Sequence, residues 1–262
     1  MLSTTLHTIL LLGGAATSAS AACTRDDLKA AASSYVEAQA AGKPSFTALD
    51  ASPDVAYSEN FKTVPVATGI LSQALKIDFN RSIYDTTQCA TYTELVSATG
   101  AHPYVIGTQM RFADGDASKV TKMESIVTDK GDWLFNATGT LYYASREAWP
   151  EIPEDKRDSR EAIKAAGDAY CDLFNDKSAK VPWGTPCERL EGGMYTGRGS
   201  PTDSCNVGVP SGVKLIDRRY VIDEVMGTVD IFMTFGSIPD SHEFRVENGK
   251  LRFVHTMSVM GG

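Results

Sequence analysis

Arg219-Tyr-Val-Ile-Asp223 answers Arg81-Ser-Ile-Tyr-Asp85, and that echo decides how the chain divides. An amphipathic helical pattern precedes each stretch and a closing hairpin follows it. Met110-Arg111-Phe112 with a turn at Gly115 returns as Phe244-Arg245-Val246 with a turn at Gly249. A unit that recurs at this length implies two domains built alike, each with its own core. The first is expected over residues 22–148 and the second over residues 159–262. Between them, 149–158 (Trp-Pro-Glu-Ile-Pro-Glu-Asp-Lys-Arg-Asp) is charged and proline-rich, as a linker is.

Each unit starts a helix in the same way. Thr24-Arg-Asp-Asp and Ser159-Arg-Glu place a hydroxyl cap and then acids at the positive end of a helix dipole. Leu28, Ala31, Tyr35 and Ala38 mark one face of the first helix; Ile163, Ala166, Tyr170 and Phe174 mark one face of the second. Later, Val229, Ile231, Met233 and Phe235 alternate with Thr228, Asp230, Phe232 and Thr234, the period of a strand. Helix first and strands after predicts an α+β fold, with two tandem cone-shaped domains. In each, a curved antiparallel sheet wraps around N-terminal helices.

Composition sets the surroundings. Residues 1–21 read as a cleaved signal peptide, with a short apolar run over Ile9–Ala16 and small residues at Ala19-Ser-Ala21. The mature protein is therefore expected to be secreted, with no membrane anchor once the signal is gone. Asn80-Arg-Ser82 and Asn136-Ala-Thr138 are glycosylation sequons. Five cysteines in an oxidising compartment imply disulfides. Cys187–Cys205 would close the glycine-rich stretch between them as a lid, and Cys23–Cys89 would tie the mature N-terminus to the first sheet. Cys171 is then left over, with Cys171–Cys187 as the competing pairing. A net charge of −8 argues against a nucleic-acid partner, which needs a basic patch.

The candidate site comes from the last hairpin. Asn248-Gly249 favours a two-residue loop that sets Glu247 opposite Lys250. Counting back, Val246 faces Leu251, Phe244 faces Phe253 and His242 faces His255, on the apolar side of the sheet. Arg245 and Arg252 oppose each other on the polar side. Two opposed imidazoles in an apolar hollow would titrate as a pair, one serving as base and the other as acid. The plainer alternative makes both half-buried groups bonded to protein. Glu191 and Tyr195 join the candidates, the one as a carboxylate at the pocket mouth, the other as a donor to a developing oxyanion. Counting in the first unit places Glu124 where His255 stands and Thr108 where His242 stands. Arg219 and Asp223, recurring in both units, read as a structural salt link. No metal site is expected, because no third zinc ligand has suitable spacing, and no cofactor motif occurs.

The element order, with phrases such as Leu49-Asp-Ala-Ser-Pro-Asp-Val-Ala-Tyr-Ser-Glu-Asn60, resembles the nuclear transport factor 2-like (SnoaL-like) superfamily. The second half, from Pro182-Trp-Gly-Thr-Pro-Cys187 through Arg189-Leu-Glu-Gly-Gly193 to Arg219-Tyr-Val-Ile-Asp223, resembles a secreted fungal domain of unassigned function. The superfamily resemblance implies a bent sheet around an open apolar pocket. It includes isomerases, cyclases, dehydratases and non-catalytic binders, so it does not choose among activities. Two functions are expected. One is a cofactor-independent lyase or isomerase on a small apolar metabolite, with His255 as base and His242 as its partner. The other is a non-catalytic binding or surface-interaction module.

Overall fold

The computed structural model describes residues 23–260; the expected signal peptide lies outside them. Two six-stranded sheets carry the fold, ordered β2-β1-β6-β5-β4-β3 and β8-β7-β12-β11-β10-β9. The first is built from β1 (Ala56–Glu59), β2 (Lys62–Thr63), β3 (Phe79–Asp85), β4 (Ala90–Ser97), β5 (Tyr104–Ala113) and β6 (Asp116–Thr128). The second is built from β7 (Trp183–Glu191), β8 (Met194–Tyr195), β9 (Leu215–Asp223), β10 (Thr228–Phe235), β11 (Ile238–Glu247) and β12 (Lys250–Ser258). One difference from expectation recurs in both: the sheets are mixed, since β1 runs parallel to β6 and β7 parallel to β12. None of the described helices is long and apolar enough to cross a membrane.

A helix lies against each sheet, α1 (Arg25–Ala41) on the first and α4 (Arg160–Leu173) on the second. Thr24 and Ser159 cap them as the sequence predicts, accepting from the backbone N–H groups of Asp27 and Ala162. Gly42 ends α1 in the left-handed conformation, φ 63°, which only glycine adopts without strain. A short α2 (Thr47–Asp50) follows. The expected helix faces are buried: Leu28, Ala31, Tyr35 and Ala38 in one core, Ile163, Ala166, Tyr170 and Phe174 in the other. Both expected disulfides are present, Cys23–Cys89 and Cys187–Cys205, and Cys171 is free and buried.

The sheets' other faces meet each other. Tyr92 and Phe232 pack edge to face, ring centroids 6.1 Å apart, within a cluster that also holds Ile83, Val221 and Met257. Strand β10 is thus apolar on both sides: Val229, Ile231 and Met233 turn to α4, and Phe232 to the other lobe. Polar links cross the seam in matched pairs. Arg160 Nη2 lies 2.6 Å from Asp85 Oδ2, and Arg25 Nη1 lies 2.7 Å from Asp223 Oδ1. Each aspartate also accepts a backbone N–H from the opposite lobe, Ile222 to Asp85 and Tyr84 to Asp223. The recurrent Arg-x-x-x-Asp stretches therefore work across the seam, and Arg219 bonds Glu124, not Asp223. Segment 129–158 crosses onto the second lobe, carrying α3 (Ala137–Ala144), which Asn136 caps. Gly192 and Gly193 let it pass: a Cβ on either would lie within 2.3 Å of the backbone oxygen of Trp133 or Asn136. Of the sequon residues, Asn80 is exposed on edge strand β3, and exposed Asn136 accepts the Gly139 N–H.

Candidate functional site

The Asn-Gly loop forms as expected, with Asn248 and Gly249 both at positive φ and Glu247 opposite Lys250. Val246 pairs with Leu251, but Arg245 then pairs with Phe253, so Arg252 is an extra residue in β12. This bulge shifts every later pair by one. His242 faces Thr256, and His255 faces Glu243. Because side chains alternate, a slip of one residue sends the two imidazoles to opposite faces of the sheet. The opposed histidine pair does not form, and neither does the Arg245–Arg252 pair: Arg252 turns to Glu188, Arg245 to Glu247.

His242 points into the hollow of the second lobe. A cavity of about 380 Å³ lies there between the sheet, α4 and the loop leading to β9. Phe174, Val213, Phe235 and Ile238 give it apolar walls, while Tyr170, Arg189, Glu191 and His242 bring polar groups to it. Gly208, Pro210 and Val213 roof it. Their loop is fastened by Cys187–Cys205 and by Lys177, whose Nζ donates to the carbonyls of Val209 and Pro210. The disulfide forms as expected, but the stretch between its cysteines does not itself cover the cavity; the roof is made by residues that follow Cys205.

Strand alternation sets the chemistry around His242. Asp240, two residues earlier on β11, shares its face; its Oδ2 lies 2.9 Å from His242 Nδ1. Ser258, the cross-strand partner of Asp240, donates to Asp240 Oδ1 at 2.5 Å. Nδ1 and Oδ2 sit off the ideal hydrogen-bond line, and neither has another partner. Tyr170, Phe174 and Phe244 rings surround the imidazole at centroid distances of 5.4, 6.0 and 5.8 Å. A short Asp-x-His spacing on a strand was the available signal for Asp240.

A second polar group stands on β7. Arg189 and Glu191, again two residues apart, pair at 2.9 Å. Arg189 Nη1 also donates to Tyr170 Oη at 3.2 Å, and Trp133 Nε1 donates to Glu191 Oε1 at 2.8 Å. Burial pushes the Tyr170 hydroxyl up to about 12 although Arg189 opposes it, so this group is a proton donor at neutral pH. Glu191 therefore reaches the cavity as the sequence suggests. Tyr195 does not line it, and stacks on Tyr143 at 4.3 Å beside the seam.

His255 belongs to the seam between the lobes. Its Nε2 lies 2.7 Å from Glu147 Oε2 and its Nδ1 3.1 Å from Glu94 Oε1. Burial alone would depress its pKa, but Glu147 and Glu94 outweigh burial and raise it to about 10. Glu94 moves the other way: burial opposes ionisation, yet His255 and Arg81 hold it at about 2. Glu94, Glu243 and His255 present metal-type donor atoms within 4.8 Å of one another. Arg81 already occupies their centre, 2.7 Å from Glu243, 2.9 Å from Glu94 and 3.1 Å from His255. Free space beside Glu94 and His255 is about 10 Å³. This is a locked charge cluster, with a cation supplied by the chain. Trp149 closes it, 3.6 Å above the Arg81 guanidinium.

Residues 156–258 match the model of a family described as a domain of unknown function, DUF8021. The match covers the second lobe, including the cavity with His242, Asp240, Arg189 and Glu191; the first lobe lies outside it. No curated protein matches the chain.

Proposed function

We propose that the second lobe is a cofactor-independent lyase or isomerase acting on a small, largely apolar metabolite, with His242 as its base. The observation that carries this reading is the roofed apolar cavity of about 380 Å³ into which His242, backed by Asp240 and Ser258, is turned. Asp240 would hold the ring and favour the base at Nε2. The Tyr170 hydroxyl and the Arg189 guanidinium would steady negative charge as it develops on the substrate. His255, locked in the seam, has no part in it.

The order of elements in both lobes and the open hollow support a nuclear transport factor 2-like architecture. Two disulfides and the signal-like N-terminal sequence support a secreted, extracellular protein. The experiment is incubation of the protein with an extract of its own producing cells in D₂O, followed by mass spectrometry. Loss of water from one metabolite, or deuterium uptake by it, is expected. His242→Gln should slow that change by roughly 10²-fold or more. An unchanged extract, or equal turnover by His242→Gln, would overturn the assignment. The lidded cavity also favours a second reading, a non-catalytic binding module, which requires a metabolite to be retained without conversion.

A further inference from the structure

Arg189 and Glu191 are paired but unequally housed. The Arg189 side chain is 7% exposed and the Glu191 side chain 25%. Arg189 Nε is buried with no hydrogen-bond partner, so the protein does not fully satisfy the guanidinium that lines the cavity. Glu191 stands nearer to water, and Trp133 at the rim gives it a second anchor. The cation is fixed within the cavity, whereas the anion can swing outward without losing all its partners. Trp133 and Met260, about half exposed, extend the apolar lining to the surface.

The geometry points to a ligand with an apolar body and one carboxylate, whose head displaces Glu191 from Arg189. This rests on the reading of the second cone as a ligand pocket and names what it takes. A guanidinium fork matches a carboxylate with two parallel hydrogen bonds. One arginine balances one negative charge; a dianion would leave charge uncompensated beside Phe174, Val213 and Phe235. A neutral ligand would leave the Arg189–Glu191 pair as it stands and gain only from burial.

Titration calorimetry of the intact protein with octanoate and with octan-1-ol tests this. Octanoate should bind at least tenfold more tightly. Arg189→Gln should abolish the preference, and Glu191→Gln, which removes the competing anion, should tighten octanoate about fivefold while leaving octanol unchanged. Equal affinity for the two probes, no binding of either at millimolar concentration, or a preference surviving in Arg189→Gln would overturn the proposal. Should Arg189→Gln not fold, Glu191→Gln decides: weaker or unchanged octanoate binding sinks it. Octanoate preference that depends on Arg189 together with an extract left unchanged by the protein would sink the catalytic reading alone and support this proposal.

Discussion

The two hollows share one frame and differ in what fills them. Register places Thr108 opposite Ser125 in the first lobe where His242 stands opposite Thr256 in the second. On the strands paralleling β6 and β12, Glu59 and Tyr57 take the places of Glu191 and Arg189. In the first lobe Tyr35 Oη, Thr108 Oγ1 and Ser125 Oγ form a buried hydroxyl chain at 2.7 and 2.8 Å. Ile70 and Leu71 plug the hollow, and the Gln39 side chain holds the plug by the carbonyls of Ile70 and Gln73. The second lobe has a tethered lid instead of a plug, and an imidazole instead of a hydroxyl. One sheet geometry therefore serves as packed core or as container, according to a single loop and a few inward side chains.

The sharpest way to break this comparison lies between the lobes. Arg81→Met should strand the carboxylates of Glu94 and Glu243 and destabilise the protein by about 3–5 kcal/mol, read from urea unfolding. Survival of both lobes at wild-type stability would mean that the seam does not hold them together. Next comes the plug. Leu71→Ala should cost about 3 kcal/mol through lost burial and the cavity left behind, and should give the first lobe a hollow that takes up an apolar dye. Dye binding confined to the second lobe would show that the first collapses around the gap.

A pH-dependent effect, shallow over any one unit near neutrality, comes from His255. Its folded pKa of about 10 exceeds the ordinary value of 6.5, so the protonated ring adds stability in full below pH 6.5. That stability drains away as pH rises toward 10 and is gone beyond it. Unfolding midpoints measured from pH 6 to 10.5 should fall for the wild type and run flatter for His255→Gln. Parallel curves would remove His255 from the account.

The helix caps and faces and the Asn-Gly loop were legible because each depends on local spacing; the tandem plan showed in repeated phrases, and the two disulfides were among the pairings expected, with Cys171–Cys187 left open as a competitor. The histidine faces were not. Counting from Asn248-Gly249 holds for Glu247 and Val246 and fails at Arg252, a bulged residue that nothing in a charged, alternating stretch distinguishes from a paired one. Asp240 follows Pro239, a residue that argues against a strand interior, although β11 begins at Ile238. The Arg81 cluster draws on residues from 81 to 255 and has no local pattern. Repetition of Arg81 and Asp85 as Arg219 and Asp223 did flag a structural role, but the partners are set by the meeting of the lobes.

The crossed pairs Arg25–Asp223 and Arg160–Asp85 mean that each half completes the other. Either half produced alone would lose the partners of its seam aspartate and bare the apolar face of its sheet to water, so neither is a natural unit for excision. The arrangement has the internal symmetry of a homodimer threaded onto one polypeptide. A true homodimer must carry two identical hollows. Covalent fusion lifts that constraint, leaving one half free to become ballast while its twin specialises.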